Sequence, residues 1–282
     1  MDKPICLVTG ATDGIGKATA TALARNGYVV VLAARNPAKA ATVTKEIVAS
    51  TGNRDVDYLT ADLRSLAELH RMAETFTLRY RRLDVLINNA GIVMPQRVLT
   101  EDGYETTFQV NYLSQFYLTH LLLNELKQSP QGRVINLSSS VYRAGKFDPD
   151  NLQRKYRFST FGAYAASKLL VLLFTVELAR RLKSTRITAN AVHPGIVRTP
   201  MMLEAPGIFQ AISYAALPFS LSPDKGAATS VYLASSPDAA QISGQYFANA
   251  KVKKVKTASN TQENRDLLWT LSMDAYQRAL PT

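Results

Sequence analysis

Tyr164 and Lys168 are the first residues in this sequence from which chemistry can be argued. Four apart on a helix, a phenol and an amine share one face and can act on a single substrate atom. Taken alone, the spacing more often marks a solvated or half-buried helix face, so the pair matters only if other groups are built around it. Three stretches offer such groups. Ser138-Ser139-Ser140 follows the apolar run Val134 to Leu137, and a serine at the carboxyl end of a strand in an open α/β sheet stands where such sheets hold ligands. A polar loop is the plainer reading. Gly10, Gly14 and Gly16 punctuate the passage from the apolar run Ile5 to Val8 into the Ala- and Leu-rich stretch Lys17 to Arg25, which reads as strand, glycine turn and helix. Glycines let the backbone turn tightly and approach a ligand, and the free N–H groups that open the helix suit a pyrophosphate. Gly10, Thr12, Asp13, Gly14, Ile15 and Gly16 are therefore the expected phosphate cradle. The spacing is GxxxGxG rather than GxGxxG, which leaves a ligand-free turn as the alternative. The third stretch is Ala34-Arg35, after a second apolar run from Tyr28 to Ala33. An NAD-selective site would carry an acid there for the ribose hydroxyls, whereas an arginine suits a 2′-phosphate and favours NADP(H) over NAD(H). A solvated charge after a strand is the bland reading of Arg35.

Other chemistries are poorly supplied. No Gly-x-Ser-x-Gly elbow is present, and His193 has no acidic partner by pattern, which argues against a Ser-His-Asp hydrolase. The single cysteine, Cys6, excludes an intramolecular disulfide and any metal site built from several thiolates; its apolar neighbours suit a small buried residue. No metal site is expected. His70 reads as surface, and His120, among Leu118, Leu121 and Leu122, as a core or interface residue.

The elements that must position these groups alternate along the chain. Asn36-Pro37 supplies an N-cap and a proline at the first helical position for a helix to about Ser50. Val56 to Ala61 reads as a third strand with Asp62-Leu63 at its exit, where the carboxylate could meet an adenine amino group or cap a helix. Ser65-x-x-Glu68 is a capping box for a helix through about Tyr80. Val85 to Ile87 is a strand, Thr100 can cap a helix from Glu101, and a longer helix runs from about Ser114 to Lys127. Ile187 to Val192 and Gln245 to Phe247 are further strands, and Asn264 to Leu280 reads as a closing amphipathic helix. Residues 200–222 are rich in Met, Phe, Tyr, Ala and Leu, and they read as a mobile lid over an apolar substrate or as ordinary core.

With 282 residues, 46% hydrophobic and 20% charged, the chain has the composition of a globular protein, and without a linker or repeat it reads as one domain, 1–282. No run reaches the ~20 apolar residues that span a bilayer, and no secretory signal is evident, so a soluble, cytoplasmic protein is expected. A net charge of +11 favours anionic partners without choosing among them. Nucleic acid has only that charge behind it and no readable motif, while peripheral membrane contact stays open. Lys251 to Lys256 alternates basic and apolar residues and reads first as a lysine-protected edge or solvated tail.

Thr9-Gly10-x-x-x-Gly14-x-Gly16, Asp62-Leu63 and Asn88-Asn89-Ala90-Gly91, in this order, resemble the short-chain dehydrogenase/reductase family over nearly the whole chain, from Ile5 to about Trp269. The resemblance implies an α/β fold: a Rossmann-like, doubly wound sheet of about seven mostly parallel strands with helices on both faces. It implies that Asn88, Ala90 and Gly91 border the cofactor's adenosine ribose while Asn89 stabilises the central strand. Asn111 would hold a water in a proton relay, though its amide could equally hold a helix kink. The family's Asn-x-Ser-Ser pattern at Asn136 to Ser139 makes Ser139 the catalytic serine, with Ser140 as residual candidate. Lys168 would bond the nicotinamide ribose hydroxyls, and its charge together with the oxidised nicotinamide would lower the phenol of Tyr164, which would exchange the proton. Pro194, Gly195, Val197 and Thr199 would lie at the nicotinamide, Thr199 on the carboxamide unless it caps the next helix.

The 24 residues between Ser139 and Tyr164, among them five basic residues and two aspartates in Arg143 to Phe158, read as an insertion at the pocket rim. This insertion and His193-Pro194-Gly195-Ile196-Val197-Arg198-Thr199 are similar to the retinol-dehydrogenase-like and WW-domain-oxidoreductase-like branch. No amino-terminal anchor or WW domain is read in the sequence, so the branch does not fix the substrate. The expected activity is hydride transfer between NADP(H) and a carbonyl or alcohol of a fairly lipophilic small molecule; the alternative is a catalytically idle NADP-binding scaffold or redox sensor. Helices at 114–127 and 168–182 are the family's candidates for contacts in a homo-oligomer.

Overall fold

A computed structural model of the protein describes residues 3–199 and 217–280. Most of the lid expected at 200–222 therefore lies outside the described residues. The apolar runs form strands β1 (Ile5–Thr9), β2 (Val29–Ala34), β3 (Val56–Thr60), β4 (Val85–Asn88), β5 (Arg133–Leu137), β6 (Thr188–His193) and β7 (Tyr246–Ala248). They pair in parallel in the order β3-β2-β1-β4-β5-β6-β7. An eighth strand, β8 (Lys251–Lys253), adds antiparallel to β7 and is exposed along its length. The expected count of about seven thus gains a short edge strand made from the alternating Lys-Val-Lys segment. Lysines on an edge discourage pairing with another chain.

Continuous apolar strands imply a sheet buried on both faces, and two cores lie there. Leu7, Val31, Leu86 and Val134 point to one face. It is covered by helices α3 (Leu66–Tyr80), α5 (Ser114–Leu121) and α7 (Thr160–Arg181). Cys6, Val8, Val30, Ile87 and Ile135 point to the other, under α1 (Gly14–Arg25), α2 (Pro37–Thr51) and the later helix α8 (Pro223–Ser235). Cys6 is fully buried, and burial raises its thiol far above the ordinary range, which makes it an inert core residue.

Helix starts follow local chemistry. Asn36 Oδ1 accepts from Lys39 N at 2.9 Å to open α2. Ser65 caps α3, but Glu68 Oε2 reaches back to Asp62 N at 2.8 Å, which ties the exit of β3 to the helix. The helix expected from Glu101 starts later. Residues Thr100 to Tyr104 form a turn through Gly103, and the buried Glu105 carboxylate caps α4 (Thr106–Phe108) by accepting from Thr107 N and Phe108 N. A π-helical turn, Gln109–Leu113, joins α4 to α5 with Asn111 at its centre; such widened turns gather at functional sites. A short helix, α6 (Leu123–Gln128), follows α5.

Helix α7 is long and apolar enough to cross a membrane by length and composition, but 78% of that window is buried inside the protein. Core packing accounts for its composition. The closing helix α9 (Gln262–Ala279) lies against α7 and α5 through Trp269 and Tyr276, with the Arg181 guanidinium 4.3 Å from the Trp269 ring. The two helices singled out for subunit contacts therefore carry α9 on part of their surface.

Candidate active site

In the sheet order, β1 continues to β2 on one side, and β4 returns to its other side. A crevice opens beyond the carboxyl ends of strands at such a switch point. A cleft of ≈ 820 Å³ lies there, and its lining runs from the glycine turn and Arg35 to Ser139, Tyr164 and Lys168.

The phosphate end is set by backbone. Asp13 caps α1, its Oδ1 accepting from Gly14 N at 2.7 Å, while the next N–H groups of a helix start have no intrahelical partner. The Lys39 hydrogen bond to Asp13 holds that carboxyl below the usual range. Gly10 has φ +63°, and a Cβ on Gly16 would collide with Gly10 O and stand 2.5 Å from Asn89 Nδ2. Only a glycine keeps this cradle open, and a cradle of N–H groups at a helix start fits an anionic pyrophosphate. Thr12, Ile15, Ala90 and Gly91 complete the wall.

At the other side of the turn, Arg35 is exposed on the cleft wall at the end of β2. Asp62 and Leu63 line the cleft at the end of β3. Asp62 is engaged by Arg64, whose Nη2 donates to Oδ2 at 2.7 Å and whose backbone N donates to Oδ1 at 2.9 Å. Burial would raise the Asp62 carboxyl, but Arg64 outweighs it and holds the group low. Arg64 was not among the expected residues; a second cation two positions past the carboxylate was the signal that could have found it.

Of the asparagine pair, Asn89 ties the end of β1 to β4 as expected, but Asn88 does not border the cleft. Asn88 is fully buried, and its Nδ2 donates to Asn136 Oδ1 at 2.8 Å and Thr119 Oγ1 at 3.1 Å. It braces β4 against β5 and α5. Asn89 lines the cleft instead, and its Nδ2 ties Thr9 O and Gly10 O to β4. The last side chain of a strand alternates in direction with the next residue, and this decides which asparagine faces inward.

At the far end α7 carries both members of the Tyr164–Lys168 pair. Lys168 is 3% exposed; its Nζ donates to Leu137 O at 2.8 Å and stands 5.6 Å from the Tyr164 ring centroid. Burial pushes the Tyr164 phenol up to about 12, moderated by its hydrogen bond with the Ser139 hydroxyl. Ser138 Oγ donates to Lys168 O and is spent on structure. Ser140 N donates to His193 Nδ1 at 3.3 Å, and burial with Arg143 nearby depresses His193. Of the three serines, Ser139 is the one bonded to the phenol. Asn111 sits outside the cleft lining, fully buried. Its Oδ1 accepts from Ile92 N, and its Nδ2 donates to Ile92 O and Ser167 Oγ. Pro194, Gly195, Val197 and Thr199 also line the cleft.

Burial also pushes the Lys168 ammonium down from 10.5 to about 8. Between those values the unfolded chain holds a proton on Lys168 that the folded chain has released, so stability due to this residue rises with pH across the window. Its burial penalty is greatest below about pH 8. Relative to Lys168→Met, the unliganded wild type should gain roughly 1–3 kcal/mol in urea unfolding as pH rises from about 8 to about 10. A difference that stays flat with pH would show that the ammonium is not penalised where it stands.

Residues 4–206 match the family model described as short chain dehydrogenase. Retinol dehydrogenase 12 of Mus musculus is 39% identical over 270 residues, covering 96% of this chain and 85% of its own. Retinol dehydrogenase 13 of Homo sapiens is 40% identical over 273 residues, covering 94% and 82%. Among solved structures, a variant of the actinorhodin polyketide ketoreductase with NADPH superposes with a TM-score of 0.69 at 30% identity, covering 87% of this chain and 95% of that one. With a matched model over most of the chain and relatives of this identity, the protein belongs to the short-chain dehydrogenase family of oxidoreductases and is retinol-dehydrogenase-like within it.

Proposed function

We propose that the protein moves a hydride between NADP(H) and a carbonyl or alcohol carbon of a fairly lipophilic small molecule, an aldehyde, ketone or alcohol of retinoid-like or steroid-like character. The observation that carries this reading is one cleft holding a glycine cradle and Arg35 at one end and the bonded Ser139–Tyr164 pair with Lys168 at the other. The names of the retinol dehydrogenases and the NADPH in the ketoreductase structure support it.

When bound in this cleft, a reduced nicotinamide nucleotide would supply the hydride. Gly10, Thr12, Asp13, Gly14, Ile15 and Gly16 would hold its pyrophosphate, Arg35 its 2′-phosphate, Asp62 and Leu63 with Ala90 and Gly91 its adenosine side, and Pro194, Gly195, Val197 and Thr199 its nicotinamide side. Ser139 orients the substrate oxygen, and Tyr164 donates its proton to that oxygen as the carbonyl carbon is reduced. In alcohol oxidation Tyr164 takes the proton back, and the Lys168 cation beside it favours the phenolate. Asn111 has committed its side-chain amide to Ile92 and Ser167, so it positions the residue preceding Lys168, and any part it takes in a proton relay comes from its backbone. Ile92, Val93, Met94 and Ile196 give the cleft apolar wall for the substrate body.

NADPH consumption with a panel of lipophilic aldehydes and ketones tests this; no consumption with any of them would leave an idle cofactor-binding scaffold. For the cofactor, Arg35→Ala should weaken NADPH by about tenfold to a hundredfold, the value of a charge-assisted bond, and change NADH little. Equal losses for both nucleotides would remove the phosphate role from Arg35.

A further inference from the structure

Arg64 has no place in the chemistry above, yet it lines the cleft beside Asp62 at the exit of β3. Its guanidinium and backbone together take the whole of that carboxylate. Nη2 donates to Oδ2 at 2.7 Å, Nε to Oδ2 at 3.0 Å and to Oδ1 at 3.2 Å, and the backbone N to Oδ1 at 2.9 Å. Two contacts on each oxygen fill the acceptor positions of a carboxylate, so Asp62 stands in the cleft wall as half of a neutral pair. The Arg64 side chain is 52% exposed, and a pair of this kind adds little to fold stability, which leaves Arg64 replaceable without unfolding the chain.

This end of the cleft leans acidic. Glu68 Oε2 accepts from Asp62 N at 2.8 Å, and Glu101 acts on the Arg64 guanidinium through space. Asp62, Glu68 and Glu101 all line the cleft, and among the described lining residues the cations on this side are Arg35 and Arg64, with Lys168 at the far end. Three carboxylates against two guanidiniums leave one formal negative charge, and without Arg64 the excess would be two. Burial opposes the Asp62 charge, Arg64 outweighs it, and Arg35 adds to the same effect through space. Arg35 therefore acts within the field of this carboxylate, and a phosphate that approaches Arg35 meets the same field.

We propose that Arg64 is a cofactor-specificity residue: by covering the Asp62 carboxylate it removes the repulsion that would otherwise keep a 2′-phosphate from Arg35. The inference rests on the NADP(H) reading of the cleft and deepens it by giving the discrimination a second residue. Arg35 supplies the attraction, and Arg64 cancels the opposing charge. An uncovered carboxylate at the exit of β3 would repel a phosphate, which carries close to two negative charges, while a nucleotide with free ribose hydroxyls would meet no such penalty.

Fluorescence titration of the full chain with NADPH and with NADH tests this without turnover. Arg64→Gln should weaken NADPH by roughly tenfold, the scale of one unscreened charge facing a phosphate near a protein surface, and NADH by no more than about twofold. The NADPH deficit should shrink as salt rises, and NADH affinity near the wild-type value checks that the variant is folded. Arg64→Lys keeps the charge, loses the fork, and should retain most of the NADPH affinity. Asp62→Asn/Arg64→Gln removes both charges and keeps an acceptor oxygen at position 62, so it should recover most of what Arg64→Gln lost. A direct bond from Arg64 to the phosphate would not be restored in that double variant. Unchanged NADPH affinity in Arg64→Gln, equal losses of NADPH and NADH, or a double variant as weak for NADPH as Arg64→Gln would overturn the proposal. Wild type that binds NADPH no more tightly than NADH would overturn the NADP(H) reading itself, and would leave Arg64 no preference to support.

Discussion

Tyr164→Phe is expected to lower kcat by about 10²–10⁴-fold, the usual contribution of a positioned general acid, while leaving NADPH affinity within a few-fold of wild type. The substitution removes only the hydroxyl, and the phenyl ring keeps its place on α7 in front of Lys168. Ser139 loses its bond to the phenol but still accepts from Val141 N, and Lys168 keeps its bond to Leu137 O, so the wall of the cleft should persist. Steady-state turnover read beside NADPH fluorescence titration separates the two effects. A variant that binds NADPH normally and still turns over at the wild-type rate would exclude the phenol as the proton donor.

Gly16→Ala should be as damaging by a different route. The added methyl collides with Gly10 O, a backbone atom, and stands 2.5 Å from the Asn89 amide that ties the turn to β4, so neither neighbour is the free end of a flexible chain. The turn has to open, and the helix start that would face a pyrophosphate moves with it. Cofactor affinity is expected to fall by about a hundredfold or more, equivalent to roughly 3 kcal/mol. Circular dichroism should show the sheet and helices retained, because the remaining strands and both cores are untouched. Unchanged nucleotide affinity in Gly16→Ala would mean that the cradle does not hold the phosphates.

These two variants also mark what could be read from the chain and what could not. The parallel sheet was legible because continuous apolar runs, each closed by a turn or a cap, occur wherever a strand buries both faces; β1, β2 and β5 are cases in point. The glycine turn was legible because Gly10, Gly14 and Gly16 occupy positions that only glycine suits. The role of Asn88 was not, since two adjacent identical residues differ only in the direction each takes from the strand end, which is set by register. The start of α4 was displaced because Thr100 has the chemistry of a cap, but Glu105, buried by tertiary packing, supplies the stronger one. The π turn at Asn111 has no local sequence mark; it depends on the amide finding Ile92 and Ser167 in three dimensions. Arg64 shows a related limit, since its bond to Asp62 is short in sequence but matters only because β3 ends at the cleft.

Hydride transfer in the cleft, as proposed, differs from mere nucleotide binding in where the hydrogen ends up. Incubation with NADPH deuterated at the transferring nicotinamide position, together with a lipophilic aldehyde, tests it most directly by mass spectrometry of the alcohol formed. One deuterium is expected on the carbinol carbon and none on the hydroxyl oxygen once it has exchanged with water. NADPH consumed with no label on that carbon, or bound with no alcohol formed from any carbonyl offered, would contradict it.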